Sequence, residues 1–146
     1  MIEKYVVSLD LAKKLKEAGY PQKGGGWYWY SSIENALWRL MFLDEFDGEF
    51  NQDIETFLKA PLAEEILEEL PKMIYWKPAV GNLNITGYRL TIKKDTFETG
   101  CYHVGYKNID RIVWAGNFRD NKLSNALARL WLWLKENGYL EERNED

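Results

Sequence analysis

Two residues with reactive side chains, Cys101 and His103, lie two positions apart in a segment where apolar and polar residues alternate. In a β-strand this spacing puts both side chains on one face, about 7 Å apart along the strand. A thiol beside an imidazole is the arrangement of a Cys–His nucleophilic pair. The sequence identifies no Asp or Asn that would orient the imidazole, and ordinary packing explains the same pair. We therefore assign no catalytic residue and favour a protein that is not an enzyme. An enzyme with dispersed carboxylates is the least favoured alternative.

The remaining residues do not indicate a metal or phosphate site. The chain contains one His and one Cys, whereas structural zinc sites take four ligands at characteristic spacings. The acidic loop around Gly48 does not fit an EF-hand, because Leu43 and Ile54 would occupy its first and twelfth positions. Glycines 24–26 lack the Gly-Lys-Ser/Thr ending of a phosphate-binding loop. We expect no metal and no cofactor.

Four aromatic residues follow these glycines in succession: Trp27, Tyr28, Trp29 and Tyr30. Such a run favours a β-strand, with the two Trp side chains on one face and the two Tyr side chains on the other. One set could enter the core while the other forms a stacking platform for a base, a sugar or a protein. The alternative is that helices cover both faces. Residues 27–30 are therefore candidate binding residues.

Acidic residues form a second candidate binding surface. One set lies on a predicted helix, and the other lies in the loop that follows residue 43: Glu64, Glu65, Glu68 and Glu69; Asp44, Glu45, Asp47 and Glu49. Small acidic proteins can block nucleic-acid-binding proteins by offering a rival surface. Ordinary solvated charge is the alternative explanation.

Composition restricts the classes of partner and the compartment. The net charge of −4 repels nucleic acid, and no Lys/Arg cluster is visible along the sequence, so we expect no nucleic-acid binding. A single Cys indicates a reducing compartment, and we expect a cytoplasmic protein without a signal peptide. No apolar run approaches the roughly 20 residues of a membrane span, so we expect no membrane association.

The first half of the chain is predicted to contain two helices. Ser8 is a suitable N-cap for a helix with Leu11, Leu15 and Ala18 on one face, and Gly19 ends it. A second helix is predicted to begin at Ala60-Pro61 and to close before residue 71. The pattern at residues 33–43 is ambiguous between helix and strand.

The second half changes to a period of two and then to a helical period. Three predicted strands are marked by their larger side chains: Tyr88, Leu90 and Ile92; Tyr102, Val104 and Tyr106; Ile112, Trp114 and Phe118. A helix over 121–137 follows, with the stripe Leu123, Ala126, Leu127, Leu130 and Leu134. We predict an α+β fold: an antiparallel β-meander packed on one face by helices, with a long C-terminal helix. Residues 1–140 form a single domain, and 141–146 form a frayed acidic tail.

One side chain of the last helix does not fit its apolar stripe. Leu132 points away from the stripe and is either exposed or covered by another element. Together with the less buried of Trp131 and Trp133, it could form the seam of a homodimer.

Three stretches together resemble a family of small bacteriophage and prophage proteins. They are residues 8–19 followed by the aromatic run 27–30, then Ala60-Pro61 leading to Leu70-Pro71, and last the Leu/Trp-rich residues 127–138. The family shares a capped first helix, an aromatic strand, an Ala-Pro helix ending in Leu-Pro, and a Leu/Trp-rich final helix. The present chain differs in its three glycines and in the region 72–120. The resemblance implies a phage or prophage origin and action inside a bacterial cell.

Our leading hypothesis is a non-enzymatic phage accessory protein that binds a host protein and could inhibit a bacterial defence system. The alternative is a small-molecule binder that uses residues 27–30 as a stacking surface for a nucleotide or a sugar.

Overall fold

The computed structural model describes residues 1–32, 37–49, 54–76, 86–95, 100–108 and 113–140. Within these ranges a short 3-10 helix (Ile2–Lys4) precedes three α-helices: α1 (Leu9–Glu17), α2 (Ala63–Glu69) and α3 (Leu123–Glu136). Seven strands accompany them: β1 (Gly26–Ser32), β2 (Trp38–Leu43), β3 (Glu55–Lys59), β4 (Met73–Trp76), β5 (Thr86–Lys94), β6 (Tyr102–Asn108) and β7 (Val113–Asp120).

The strands form two antiparallel sheets. Strands β4, β5, β6 and β7 are neighbours in sequence order and form an antiparallel meander, on which α3 packs. The three predicted strands correspond to β5, β6 and β7, and β4 adds a fourth. The α+β prediction is therefore confirmed. The other sheet has the order β2-β1-β3 and was not predicted as a separate unit. It settles part of the ambiguous segment, since residues 38–43 are a strand. Residues 33–36 and the predicted tail 141–146 lie outside the described ranges.

The core lies between α3 and the inner face of the meander. Ala126, Leu127, Leu130 and Leu134 of the predicted stripe have no exposed surface. They share one cluster with side chains of β6 and of α1, among them Val104 and Leu15. Full burial of each leucine stabilises the fold by about 1.5–3 kcal/mol. No α-helix in the described ranges has the length and the apolar character to cross a membrane.

Contacts with other segments fix the positions at which the two shorter helices begin. Helix α1 follows Ser8 as predicted, but the Ser8 side chain makes no capping bond; its backbone N–H donates to Asn125 Oδ1 of α3 at 2.9 Å. Helix α2 begins at Ala63, three residues later than predicted. Pro61 and Leu62 instead pair with the extended residues before α1: the Val7 N–H donates to the Pro61 carbonyl. This pairing holds the backbone extended up to residue 62.

A β-bulge in β7 corrects one prediction about the meander. Gly105 pairs with Asn117 and Tyr106 pairs with Ala115, so Gly116 is an extra residue in β7. Its φ of +69° lies in the left-handed region that favours glycine. The bulge reverses the alternation, and Trp114 and Phe118 therefore lie on opposite faces. The period of two predicted for this strand therefore breaks at Gly116, and Ile112 of the same predicted strand lies outside the described ranges.

Candidate binding surfaces

Tyr28 in the aromatic strand is fully buried. Its side chain is 0% exposed, its hydroxyl donates to the Gly24 carbonyl at 2.7 Å, and its ring meets the Phe46 ring edge-on at 4.9 Å. Burial, and secondarily the negative charge of Glu65, raises the pKa of Tyr28 to about 12. Tyr28 therefore offers no stacking surface to an external ligand.

The other three rings of residues 27–30 are half-buried and contact the protein itself. Trp29 donates its indole N–H to the Val7 carbonyl at 2.9 Å and packs against the core. Trp27 meets Phe42 edge-on at 5.3 Å, and Tyr30 lies 4.9 Å from Phe57. The Tyr face of β1 is thus covered by aromatic residues of a loop and of β3 rather than by a helix. The rings of β1 are therefore packed mainly against other parts of the protein and do not form a free stacking platform.

Lys59 links the glycine loop (residues 24–26) to the acidic helix α2. It is 5% exposed, and its Nζ donates to the Gly25 carbonyl at 2.7 Å. The same nitrogen lies 3.6 Å from Glu65 Oε1 and 4.8 Å from the centre of the Tyr28 ring. Glu65 Oε2 also accepts a hydrogen bond from the Leu62 N–H at 2.8 Å, at the start of α2. Glu65 therefore has a structural role in this network.

The other predicted acidic residues remain near solvent. Glu64 and Glu68 are exposed on α2, and Glu69 is half-buried. In the loop after β2, the Phe46 carbonyl accepts a hydrogen bond from the Gly24 N–H at 2.7 Å. The same two loops line an open cleft of about 480 Å³, formed by Gly24, Gly25, Glu45, Phe46 and Asp47. The structure thus brings together the glycine loop and the acidic loop.

The proposed dimer seam on α3 has little free apolar surface. Leu132 is half-buried and packs against the core cluster. Trp131 is buried, with its ring 5.2 Å from that of Tyr20. Trp133 is the less buried tryptophan of the two; its ring stacks on Tyr139 at 5.6 Å.

Cys101 and His103 lie at the start of β6. Cys101 precedes β6, and its carbonyl accepts a hydrogen bond from the Asp95 N–H. The His103 Nε2 contacts Asn117 Oδ1, and the imidazole stacks on the Trp114 indole with centroids 4.2 Å apart and planes 24° apart. No group of three or more His, Cys, Asp or Glu side chains suited to a metal ion occurs within the described part of the chain.

His103 and Trp114 are part of a polar sheet surface that we name the outer face. It is the side of the meander opposite the core, and antiparallel pairing sets its members in rows across the strands. The outer face consists of Met73, Tyr75, Arg89, Thr91, Lys93, His103, Gly105, Lys107, Trp114, Asn117 and Arg119.

The outer face is basic although the whole protein is acidic. Strands β4–β7 contain five basic residues and one acidic residue, and that acidic residue, Asp120, lies on the inner side, where it contacts Arg129 of α3. Four of the cations belong to the outer face: Arg89, Lys93, Lys107 and Arg119. None of them pairs with a carboxylate of the described residues. The sequence showed no Lys/Arg cluster because these residues are spread over 31 positions and three strands; only strand pairing brings them together.

The protonation of one of these cations is affected by another. A side-chain hydrogen bond with Lys93, followed by the charge of that residue, lowers the pKa of Lys107. The Lys107 ammonium also lies 5.7 Å from the centre of the Trp114 ring. The positive charge of Lys93 thus disfavours the charged form of Lys107, and a nearby anion would have the opposite effect.

The ring of Trp114 lies close to the sheet because residue 105 is glycine. A Cβ atom at Gly105 would be 2.8 Å from Trp114 Cε3. The indole is therefore held against the backbone and against His103 by the protein itself.

Comparison of the chain with protein-family models, with curated proteins and with solved structures finds no match in any of the three.

Proposed function

We propose that this protein acts by binding rather than by catalysis, and that its main binding surface is the outer face, which takes a polyanionic ligand. The observation that carries the proposal is the set of four cations around the Trp114–His103 stack, none of which pairs with a carboxylate in the described ranges. Exposed cations that repel one another gain most from a ligand that carries several negative charges. Among the described residues, most carboxylates lie on the helices and in the loop after β2 rather than on this face.

Removal of two cations from the outer face tests the proposal. We expect Lys93→Gln/Lys107→Gln to weaken the binding of fluorescein-labelled heparin about 10-fold or more at low salt, measured by fluorescence anisotropy. The slope of log affinity against log salt concentration should also become smaller, because fewer anionic groups of the ligand are neutralised. Both substitutions are at the surface, so the melting temperature should change little.

A matched control separates a local site from general charge. Lys14→Gln/Lys135→Gln removes the same charge from exposed positions on α1 and α3. Equal binding by the two double variants would contradict a specific site on the outer face, as would a wild-type protein that does not bind heparin at low salt.

A second candidate function is recognition of a basic host protein, at the cleft between the glycine loop and the acidic loop. Glu45 and Asp47 line this cleft, Asp44 and Glu49 are exposed in the same loop, and none of the four pairs with a cation of the described residues. Phe42, near the end of β2, is 52% exposed. Exposed carboxylates together with an exposed aromatic ring suit a basic protein surface. In the phage setting implied by the resemblance, the partner would be a host component.

Cross-linking in bacterial lysate tests this second candidate. We expect Asp44→Asn/Glu45→Gln to lose a specific cross-linked protein that Glu64→Gln/Glu68→Gln retains, because the second variant removes two exposed charges from α2. Retention of the same partner by both variants would count against the cleft.

A further inference from the structure

We infer that the ligand of the outer face is single-stranded nucleic acid, whose phosphates contact the cations and whose bases stack at Trp114. This inference rests on the proposed function and specifies its ligand. It differs from the expectation set by the net charge of −4, because that value is a sum over the whole sequence and does not describe the charge of one surface.

The arrangement of charges in rows fits an extended strand. Arg89 and Lys107 are opposite each other in one row, beside Trp114; Lys93, His103 and Arg119 form another. Four residues of extended chain separate the two rows on β5, which is about 13 Å. The row between them consists of Thr91, Gly105 and Asn117 and carries no charge. Two rows that contain cations thus border this uncharged row, which we name the neutral strip.

The aromatic pair lies at this neutral strip and would contact the bases. The Trp114 indole packs over Gly105 and stacks on His103. A planar base can extend this stack, and base–aromatic stacking accepts any base because every base has a π-face. Tyr75, which is 67% exposed, adds a second ring on the neighbouring part of the face. An extended strand could therefore place one base at each ring.

The same features argue against other polyanions. A duplex keeps its base faces stacked inside and would use only the cations. An acidic protein would also be held by the cations, but it does not require a preset stack of planar rings. Arg89, Lys93 and Arg119 of this face are exposed among the described residues, and they are spread over three strands, which suits a polymer more than a mononucleotide.

The test compares binding of three probes by fluorescence anisotropy: a labelled oligothymidylate of about 12 nucleotides, the matching duplex, and heparin. We expect the wild-type protein to bind the single strand more tightly than the duplex. Trp114→Leu should weaken binding of the single strand about 5- to 100-fold and change heparin binding little, because stacking is lost while the cations remain. Trp114→Phe should retain most of the affinity.

Controls keep folding and charge effects apart. Tyr5→Leu removes an exposed ring far from the outer face in sequence and should leave all three affinities unchanged. A cooperative melting curve verifies that Trp114→Leu is folded, and Trp114→Phe provides a second, milder variant. Lys93→Gln/Lys107→Gln should reduce the salt slope for the single strand by about 0.7 for each phosphate that the variant no longer neutralises.

The outcomes that overturn the inference differ from those that overturn the proposed function. If heparin binds at the outer face but the single strand binds no better than duplex, or if Trp114→Leu weakens heparin and oligothymidylate equally, the ligand is a different polyanion. If Lys93→Gln/Lys107→Gln affects none of the probes, the proposed function itself fails.

Discussion

At the scale of single residues, the ammonium group of Lys59 has three compensating neighbours inside the three-stranded sheet. They are the Gly25 carbonyl, the Glu65 carboxylate and the Tyr28 ring. Burial of an uncompensated ammonium group costs several kcal/mol, so these contacts must act together. A Cβ atom at Gly26 would lie 2.9 Å from Lys59 Nζ, and the φ of +136° at this position also favours glycine. The position of the Lys59 side chain therefore favours glycine at residue 26 of the loop.

We expect Lys59→Met to lower the free energy of unfolding by about 1–3 kcal/mol. The substitution keeps the apolar stem but leaves the Gly25 carbonyl without its donor and Glu65 without its cation. Urea denaturation at neutral pH measures the change. Lys14→Met, at an exposed position on α1, should change stability by no more than about 0.5 kcal/mol. Equal stability of the two variants would show that the Lys59 contacts do not contribute.

At the scale of elements, the bulge in β7 allows one strand to place large aromatic side chains on both surfaces of the meander. Before the bulge, Trp114 lies on the outer face; after it, Phe118 packs towards the core. The extra residue, Gly116, also faces α3: a Cβ atom there would lie 2.8 Å from the Trp133 ring. Position 116 therefore requires glycine for two reasons: its positive φ, and the short distance between β7 and α3 at this point.

We expect Gly116→Ala to destabilise the protein by about 2–4 kcal/mol, from a left-handed backbone and from overpacking against Trp133. Gly138→Ala is the matched control, because Gly138 has a similar φ of +77° but no atom within 4 Å of the added Cβ. It should cost only the backbone part, about 1–2 kcal/mol. Thermal and urea unfolding of both variants measure the difference, and identical losses would argue against the contact with Trp133.

Sequence patterns predicted elements well where one period was sustained. The stripe on α3 and the strand order of the meander follow from helical and alternating hydrophobicity, and both are confirmed. The bulge was missed because a single glycine in a strand carries no visible period. The outer face was missed for another reason: Arg89 comes to lie beside Lys107, and Lys93 comes to share a row with Arg119, only through strand register, which the sequence does not display. The start of α2 was missed because pairing of Val7 with Pro61 overrides the local preference for a helix.

At the scale of the whole molecule, the charges of the described residues are separated into regions of opposite sign. The carboxylates concentrate on α2 and in the loop after β2, while the outer face carries four cations and, among the described residues, no carboxylate. Such a separation orients the molecule in the field of a charged partner and keeps the net charge modest. A net charge of −4 is therefore a poor guide to what each surface binds.

Two buried phenols, those of Tyr28 and Tyr106, should make the stability of the whole fold fall at alkaline pH. Each donates its hydroxyl to a backbone carbonyl, of Gly24 and of Pro71 respectively, and burial raises the pKa of both. In the unfolded chain a tyrosine ionises near pH 10. Because the folded-state pKa is higher, the stabilising contribution is complete below about pH 10 and is lost as pH rises towards about 12 for Tyr28.

We expect the free energy of unfolding, measured in urea between pH 8 and 12, to decline above pH 10. In Tyr28→Phe the slope of that decline should be smaller by about one bound proton, because phenylalanine has no proton to lose on unfolding. Tyr5→Phe should keep the wild-type slope, since Tyr5 is exposed. Parallel declines of the wild-type protein and Tyr28→Phe would mean that the Tyr28 hydroxyl is open to solvent, and the closed packing of Phe46 and the glycine loop over β1 would then be wrong.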